Sequence, residues 1–230
     1  MAVHTRVLPV AASAPHPLGR HVEHDSRSRL YDVEARGETR ALVPTRWPRI
    51  SPIFDQHALG SCTGMAMAGW LGTGPHCGDP NMFRENEAVW IYATATKLDA
   101  FTGEWPPTDT GSSGVGVVKA ARMMGMIRGW TQAFTTEALL QALMTSPVLL
   151  GTVWTEGMFN PDPVTGEVKP TGAVAGGHEY LCRGWDGSYL WCDNSWSAAW
   201  NPKLGGSFKL SMASWETLRR QEADVVVPYV

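Results

Sequence analysis

The chain has 230 residues, of which 43% are hydrophobic and 18% charged, and its formal net charge is −3. This composition is that of a folded chain with one large core or two modest lobes, and it excludes the disordered class. Because the net charge is weak and both signs are mixed along the chain, we expect neither nucleic acid nor an anionic membrane as a partner.

The residues at 1–45 are rich in Arg, His, Pro and Ser, and they show little hydrophobic periodicity apart from Leu30–Val33, which favours one short strand. We predict a largely extended N-terminal arm here, followed by a single folded domain over residues 46–230. Alternating proline and isoleucine between positions 48 and 53 indicates an extended approach to residue 62.

The next part of the chain has helical patterns. Small residues and methionine fill Cys62–Leu71, which predicts a helix buried on most sides. Apolar spacing predicts a second helix over about 83–98 and a third after Gly114. A fourth helix is expected to begin at Thr135 or Thr136 and to end near Met144, before Ser-Pro.

The second half of the chain is dominated by strand patterns, with one short helix for which Ser214 is the expected N-cap. The predicted strands are Val148–Trp154, Glu179–Trp185, Tyr189–Asp193, Ser207–Leu210 and Val225–Tyr229. A helical part followed by a strand part predicts an α+β architecture with two lobes, a helical one over about 46–130 and a β-rich one over about 131–230.

The four cysteines lie at positions 62, 77, 182 and 192, and they are too few and too scattered for a disulfide framework. They also lack the paired C-x-x-C spacing of a structural zinc site, so no metal is expected. No apolar run reaches the roughly 18–20 residues of a membrane span, and we see no convincing signal peptide. A reducing compartment therefore fits the sequence best.

Cys62 stands at the expected start of a helix, after the turn formed by Gly60 and Ser61. Unpaired amide groups and the helix macrodipole favour negative charge at such a position, and the thiolate is the nucleophilic form of cysteine. A cysteine nucleophile also requires a histidine partner and a third group that orients the histidine. His178 and Asn194 are candidates for these two roles.

A hairpin would bring His178 and Asn194 together. If they lie opposite each other, Tyr180 faces Cys192 and Cys182 faces Leu190, which leaves a three-residue loop. The histidine and asparagine then project from the same side of the hairpin and can form a hydrogen bond.

The same register places Cys182 and Cys192 diagonally across the hairpin, which disfavours a disulfide between them. It also places Glu179 opposite Asp193, an unexplained pairing of like charges.

Gln56 with Gly-Ser-Cys62-Thr, then Gly-Gly-His178, then Asn194-Ser-Trp196 resembles the papain-type cysteine peptidases in chain order and spacing, over residues 46–230. The short arm with Asp25-x-Arg27-x-x-x-Tyr31 is similar to papain-like proteins of bacteria and their phages. The resemblance implies a two-lobed α+β fold with a helical lobe, an antiparallel β-barrel-like lobe and an active-site cleft between them. It also implies a cytoplasmic peptidase of a bacterium or a phage-infected cell, with a virion location as the other possibility.

The resemblance further implies roles for particular residues. Cys62 would attack the peptide carbonyl and form a thioester acyl-enzyme, His178 would be its imidazolium partner, and Asn194 would hold His178. The Gln56 amide and the Cys62 N–H would bind the oxyanion. No metal or organic cofactor is implied, and the partner would be a protein or peptide substrate. Trp196 would cover the histidine from water, and substrate-binding residues would include Gly111, Ser112, Ser113, Gly114 and Gly177.

Several residues depart from the family pattern. His57, Glu179 and Ser197 stand at positions where small residues are usual, and His57 is the residue most able to obstruct the site. The arm is also too short for the long inhibitory pro-segment of many secreted relatives. These departures leave open a structural or binding subunit with lost activity, whose arm docks a neighbouring chain, and a transferase or ligase that uses the same acyl-enzyme. Ser112 and Ser113 are equally compatible with ordinary turn positions.

Overall fold

The computed structural model describes residues 3–25 and 40–230, apart from the side chain of residue 25. Five α-helices lie within these residues: α1 (Cys62–Leu71), α2 (Glu85–Ala95), α3 (Gly114–Met123), α4 (Thr136–Leu143) and α5 (Met212–Arg219). None of them has the length and apolar character of a membrane span. The positions expected for the first four helices are confirmed, with ends that differ by a few residues.

Helix α1 is the central element of the helical lobe, and all ten of its residues are buried. Its small residues allow α2 to approach closely, because a β-carbon added at Gly64 would lie 2.3 Å from the carbonyl oxygen of Ala88. This contact explains why the helix contains glycine in spite of its low helix propensity.

Serine and threonine side chains begin three of the helices. The hydroxyl of Ser113 accepts from the N–H of Gly116 at the start of α3, and that of Thr135 caps α4. The expectation for α5 is wrong, since Ser211 and not Ser214 is the N-cap. The helix follows directly on a strand, so the first of the two serines already has the extended backbone that a cap requires.

A seven-stranded antiparallel sheet forms the other lobe. Its main strands run in the order β4-β9-β5-β6-β7-β8, and β3 pairs with the end of β6. The strands are β3 (Thr45–Arg46), β4 (Gly129–Gln132), β5 (Val148–Thr155), β6 (Val174–Trp185), β7 (Tyr189–Asp193), β8 (Ser207–Ser211) and β9 (Asp224–Tyr229). Within the described ranges, β4 and β8 end the sheet and do not pair with each other, so the expected barrel-like lobe is an open sheet.

Both faces of the central strands are buried. Leu149, Leu181 and Val226 pack with the helices α1 to α3, whereas their sequence neighbours Leu150 and Tyr180 belong to a second core on the opposite face. Because successive side chains of a strand point to opposite faces, β5, β6 and β9 contribute to both cores at once. The β6 strand therefore presents side chains to each lobe. The division into lobes near residue 130 stays a prediction.

The hairpin of β6 and β7 has a different register from the predicted one. Leu181 pairs with Asp193 and Cys182 pairs with Cys192, and a bulge between Cys182 and Gly184 shifts the pairing towards the turn. The two cysteines are directly opposite, not diagonal, and both are free thiols. The predicted pairing of Glu179 with Asp193 is absent, because Asp193 pairs with Leu181 in the observed register.

The N-terminal arm contains two strands, β1 (Val3–Arg6) and β2 (Val22–Asp25), which pair in antiparallel fashion. The segment between them packs on the body of the protein, and its Leu8 and Leu18 are buried in the core of the β-rich lobe. The strand predicted at Leu30–Val33, and the positions of Arg27 and Tyr31, lie outside the described residues.

We expect Gly64→Ala to lower the free energy of unfolding by about 1–3 kcal/mol, because the added methyl group meets backbone atoms of α2 that cannot move alone. Urea denaturation measures the change. Gly78→Ala is the matched control, since a β-carbon at Gly78 has no atom within 4 Å. Equal stability of the two variants would contradict the close packing of α1 on α2.

Candidate active site

The sulfur of Cys62 lies at the N-terminus of α1 and is fully buried. Burial raises the pKa of the thiol to about 12, and the nearby carboxyl of Glu179 acts in the same direction. The backbone N–H groups of Glu179, Gly19 and Thr63 oppose this rise, because their dipoles favour the charged form of the sulfur. Cys62 is therefore a neutral thiol in this state, placed beside the residue that follows His178.

His178 lies inside β6, not at its start, and its Nε2 is 2.7 Å from Oδ1 of Asn194. Asn194 follows the end of β7. The expected contact is present in spite of the changed register, because a shift by two residues leaves both side chains on the same face of the hairpin.

The hydrogen bonds of Asn194 determine the tautomer of His178. Its Oδ1 also accepts from the backbone N–H of Ser195 at 2.8 Å, which identifies that atom as the oxygen of the amide. The Nε2 atom of His178 must then donate, so the neutral imidazole has its lone pair on Nδ1. This Nδ1 atom has no hydrogen-bond partner within the described part of the chain. Burial lowers the pKa of His178 to about 4 and outweighs the opposing hydrogen bond to Asn194.

Aromatic rings enclose His178. The ring of Trp196 stacks on the imidazole with centroids 4.6 Å apart, and Trp154 meets it edge-on at 4.8 Å. His16 of the arm also stacks on Trp196, with ring centroids 4.5 Å apart. These rings exclude water from the hydrogen bond between His178 and Asn194, and the arm contributes to this cover.

Gln56 precedes Cys62 by six residues and is held by three partners. Its Oε1 accepts from the hydroxyl of Ser195 at 2.6 Å, which orients the amide group. Its Nε2 donates to the carbonyl oxygen of Leu59 at 2.8 Å and to that of Pro17 at 3.4 Å. A carbonyl group of the arm is therefore in contact with the amide that the sequence suggested as an oxyanion donor.

The arm also pairs with the segment at 111–114. The N–H of Ser112 donates to the carbonyl oxygen of Gly19 at 2.8 Å, and the N–H of His21 donates to that of Ser112 at 2.7 Å. On the opposite side, the N–H of Arg20 donates to the carbonyl oxygen of Gly177 at 3.0 Å. Two of the expected substrate-binding residues, Ser112 and Gly177, thus bind the chain's own arm.

Gly19 is the tightest point of this contact. A β-carbon added there would lie 1.8 Å from the carbonyl oxygen of Gly60, so only glycine allows the arm to cross the turn that precedes Cys62. The arm occupies the cleft above Cys62 despite its short length.

The three departures from the family pattern have different consequences. His57 is largely exposed, with 80% of its side chain accessible, so it does not obstruct Cys62. Ser197 has φ = 62°, a conformation that glycine adopts without strain. Glu179 is fully buried, and it faces Arg20 of the arm and Asp224 at the start of β9.

Sequence reasoning missed the pair of side chains that links the turn before Cys62 to the segment at 111–114. Asp109 accepts from the N–H of Gly60 at 2.7 Å, and Tyr92 donates to Asp109 at 2.5 Å while accepting from the N–H of Gly111 at 2.9 Å. Burial, followed by the bond to Asp109, raises the pKa of Tyr92. Asp109 is adjacent to the glycine and serine segment, but nothing in the sequence relates Tyr92 to it.

No protein-family model matches the sequence, and no curated protein matches it. Solved structures do match. Xylellain, a cysteine protease from Xylella fastidiosa, has a TM-score of 0.65 at 14% identity over 100% of this chain and 99% of its own. The Carica candamarcensis cysteine protease CMS1MS2, solved with E-64, has a TM-score of 0.52 at 14% identity over 79% and 93%. The ragweed pollen protease Amb a 11, in its proform, gives 0.53 at 16% over 84% and 67%.

The fold is papain-like. The likenesses extend over both lobes, and at 14–16% identity they establish the architecture of the chain. The predicted resemblance and the two-lobed α+β class are confirmed, with the barrel corrected to an open sheet. His178 and Asn194 are in contact through their hydrogen bond, whereas the approach of Cys62 to His178 and the chemical roles of all three residues stay predictions.

The buried His178 predicts a loss of stability in acid. Its pKa is about 4 in the fold, against 6.5 for the ordinary side chain, so the unfolded chain binds more protons between these values. Its contribution is complete above pH 6.5 and is lost as the pH falls towards 4, by up to about 1.4 kcal/mol per pH unit.

Urea denaturation between pH 4.5 and 7 tests this expectation. His178→Ala should flatten the dependence of the free energy of unfolding on pH, whereas His57→Asn, at an exposed position with φ = 49°, should leave it unchanged. An unaltered slope in His178→Ala would show that His178 is not buried as the neutral form.

Proposed function

We propose that the chain is a cysteine peptidase that hydrolyses peptide bonds of a protein or peptide substrate and that its own arm keeps latent. The observation that carries this proposal is the hydrogen bond from His178 to Asn194, which leaves the basic Nδ1 atom without a partner among the described residues, in a chain whose Cys62 stands at a helix N-terminus. The papain-like fold supports it, since the matched proteins named above are cysteine proteases.

The covered state explains the latency. With Cys62 and His178 fully buried, burial raises the pKa of the thiol and lowers that of the imidazole, so the proton stays on sulfur. When the arm leaves, water enters and weakens both effects. The proton can then pass from Cys62 to Nδ1 of His178, and the helix N-terminus stabilises the resulting thiolate.

In the proposed reaction, the thiolate of Cys62 forms a bond to the carbonyl carbon of the substrate, whose oxygen becomes negatively charged. The amide of Gln56 and the N–H of Cys62 stabilise this oxyanion. Collapse of the intermediate breaks the C–N bond, and His178 gives its proton to the leaving amine. A water molecule, deprotonated by His178, then attacks the thioester carbon. The C–S bond breaks, which releases the acid product and returns Cys62 as the thiolate beside protonated His178. No step requires a metal or organic cofactor.

The position of the arm supports the placement of the substrate. Ser112 and Gly177 hold extended main chain on two sides of the cleft, as in strand addition, and the Pro17 carbonyl lies at the Gln56 amide. A substrate would use the same backbone groups after the arm is displaced. Trp196 would shield His178 from water. Gly111 has φ = 69°, and this left-handed conformation turns the segment at 111–114.

A structural or binding subunit with lost activity is the second candidate, and the complete burial of Cys62 favours it. The described part of the arm docks on its own chain, which leaves residues 3–25 less available for a neighbouring chain. A transferase or ligase would share the acyl-enzyme and differ only in the attacking group. Location in the cytoplasm or a virion, and a bacterial or phage source, stay predictions.

Displacing the arm should activate the protein. Gly19→Val cannot keep its place against Gly60, so we expect Cys62 to react with iodoacetamide roughly tenfold faster or more than in the native chain. Gly78→Ala is the control, and mass spectrometry after timed quenching measures the rate. His178→Ala, added to Gly19→Val, should slow labelling again.

The same Gly19→Val protein should cleave a denatured protein substrate. Cys62→Ala should abolish cleavage, and Gln56→Ala should lower the rate by about 10²–10³ because one oxyanion donor is lost. If Gly19→Val folds and exposes Cys62 but neither labelling nor cleavage depends on His178, the peptidase proposal fails and the structural role stands.

A further inference from the structure

The side chain of Arg20, in the arm, enters the body of the protein. Its accessibility is 0%, which is rare for arginine unless it is paired. The main chain of Arg20 is fixed on both sides, by Gly177 on one wall and by a parallel bridge with Ser112 on the other. The two walls therefore direct its side chain into one defined cavity, which we call the Arg20 pocket.

The Arg20 pocket is acidic. Nη2 of Arg20 donates to Oδ2 of Asp224 at 3.1 Å and to the carbonyl oxygen of Glu222 at 2.7 Å. Glu179 lies on the same side, and its carboxyl and that of Asp224 are almost completely buried. Burial and then the charge of Asp224 raise the pKa of Glu179, and the charge of Arg20 opposes this.

Two glycines make room for these groups. A β-carbon at Gly151 would lie 2.0 Å from Oδ1 of Asp224, 2.6 Å from Oε2 of Glu179 and 2.7 Å from Nε of Arg20. One at Gly114 would lie 2.9 Å from the other oxygen of Glu179. The two acids and the guanidinium thus converge on one point, above the strand β5 and beside the start of α3.

The arm does not use the full capacity of this pocket. Within the described residues, neither oxygen of Glu179 has a hydrogen-bond partner, nor have Nε and Nη1 of Arg20. A guanidinium carries five donors in a planar fork, which suits two carboxyls better than the single point charge of a lysine. An uncharged side chain would leave two buried acids without a cation, which is unfavourable.

We propose that the Arg20 pocket determines specificity: after the arm leaves, Glu179 and Asp224 bind an arginine side chain of the substrate, at the position that pairs with Ser112. This inference rests on the proposed function, since it places a substrate where the arm now lies. In the arm, the residue next to Arg20 is Gly19, which lies against Gly60 in the turn before Cys62. The selected arginine therefore lies one residue from the point where the main chain crosses that turn, and Arg20 occupies the pocket as a substitute for it.

A binding measurement tests the pocket without requiring catalysis. The full chain with Gly19→Val and Cys62→Ala has a displaced arm and no nucleophile. Fluorescein-labelled pentapeptides that differ only at the central residue, which is arginine, citrulline, lysine or leucine, are titrated by fluorescence anisotropy. We expect arginine to bind roughly tenfold or more tightly than citrulline, which has the same shape without the charge, with lysine between them.

The acids must account for this preference. Asp224→Asn and Glu179→Gln, each added to the same protein, should reduce the ratio of arginine to citrulline affinity towards one, whereas Glu137→Gln on the exposed face of α4 should leave it unchanged. Equal affinities for the arginine and citrulline peptides overturn the inference, as does a preference that survives both substitutions. Because the readout does not involve Cys62, failure of the peptidase proposal would appear separately as unreactive Cys62 and absent cleavage.

If the Gly19→Val protein does not unfold cooperatively in urea, a second pair of variants tests the Arg20 pocket instead. Arg20→Met and Arg20→Lys keep Gly19 and Cys62, and iodoacetamide labelling then reports how well the arm stays in place. We expect labelling to be faster in Arg20→Met than in Arg20→Lys, and we expect the arginine pentapeptide, but not the citrulline one, to protect Cys62 of Arg20→Met. Equal labelling without selective protection contradicts an arginine-binding pocket.

Discussion

The pairing of the arm's main chain with both walls of the cleft is the interaction on which the state of this protein depends. Ser112 and Gly177 bind consecutive backbone groups of the arm, and Gly19 lies against Gly60 with no space between them. This pairing excludes water from Cys62. The thiol and the imidazole are consequently both uncharged, although each occupies a position suited to the charged form.

Strand β6 supports this arrangement because both of its faces are buried. His178 points to the aromatic core that contains Trp154, and the next residue, Glu179, points to the helical side, beside Gly114. The alternation of side chains along a strand thus assigns two neighbouring residues to two different tasks. In our proposals, one residue carries the proton chemistry and the other contributes to the choice of substrate.

The occupied pocket also relates latency to specificity. An arm that fills the cleft only with backbone would hold itself by a few hydrogen bonds, each of modest net strength. Arg20 adds a buried charge that Asp224 and Glu179 need. The feature that would make the site selective for a substrate is, in this view, the same feature that retains the arm.

Much of the helical lobe follows from local pattern, and so could be predicted. Helix α1 begins at Cys62 as expected, because a run of small and apolar residues after a glycine turn has few alternatives. The hairpin was less predictable. Its bulge after Cys182 shifts the pairing, and no sequence signal marks it, so Cys182 faces Cys192 instead of lying diagonally. The predicted contact of His178 with Asn194 is nevertheless correct, because the shift leaves each side chain on the same face of the hairpin.

The sequence by itself determined the predicted set of Gln56, Cys62, His178 and Asn194 and its order, because the proposed nucleophile, base and supporting groups need particular side chains. Only the tertiary structure decided whether the cleft is open. The position of the Arg20 side chain depends on Asp224, which lies more than two hundred positions away in the sequence. It also depends on Gly19, which allows the arm to lie against Gly60. Long-range contacts of this kind have no local sequence pattern, because they join residues that are far apart in the chain and meet only where helices and strands pack together.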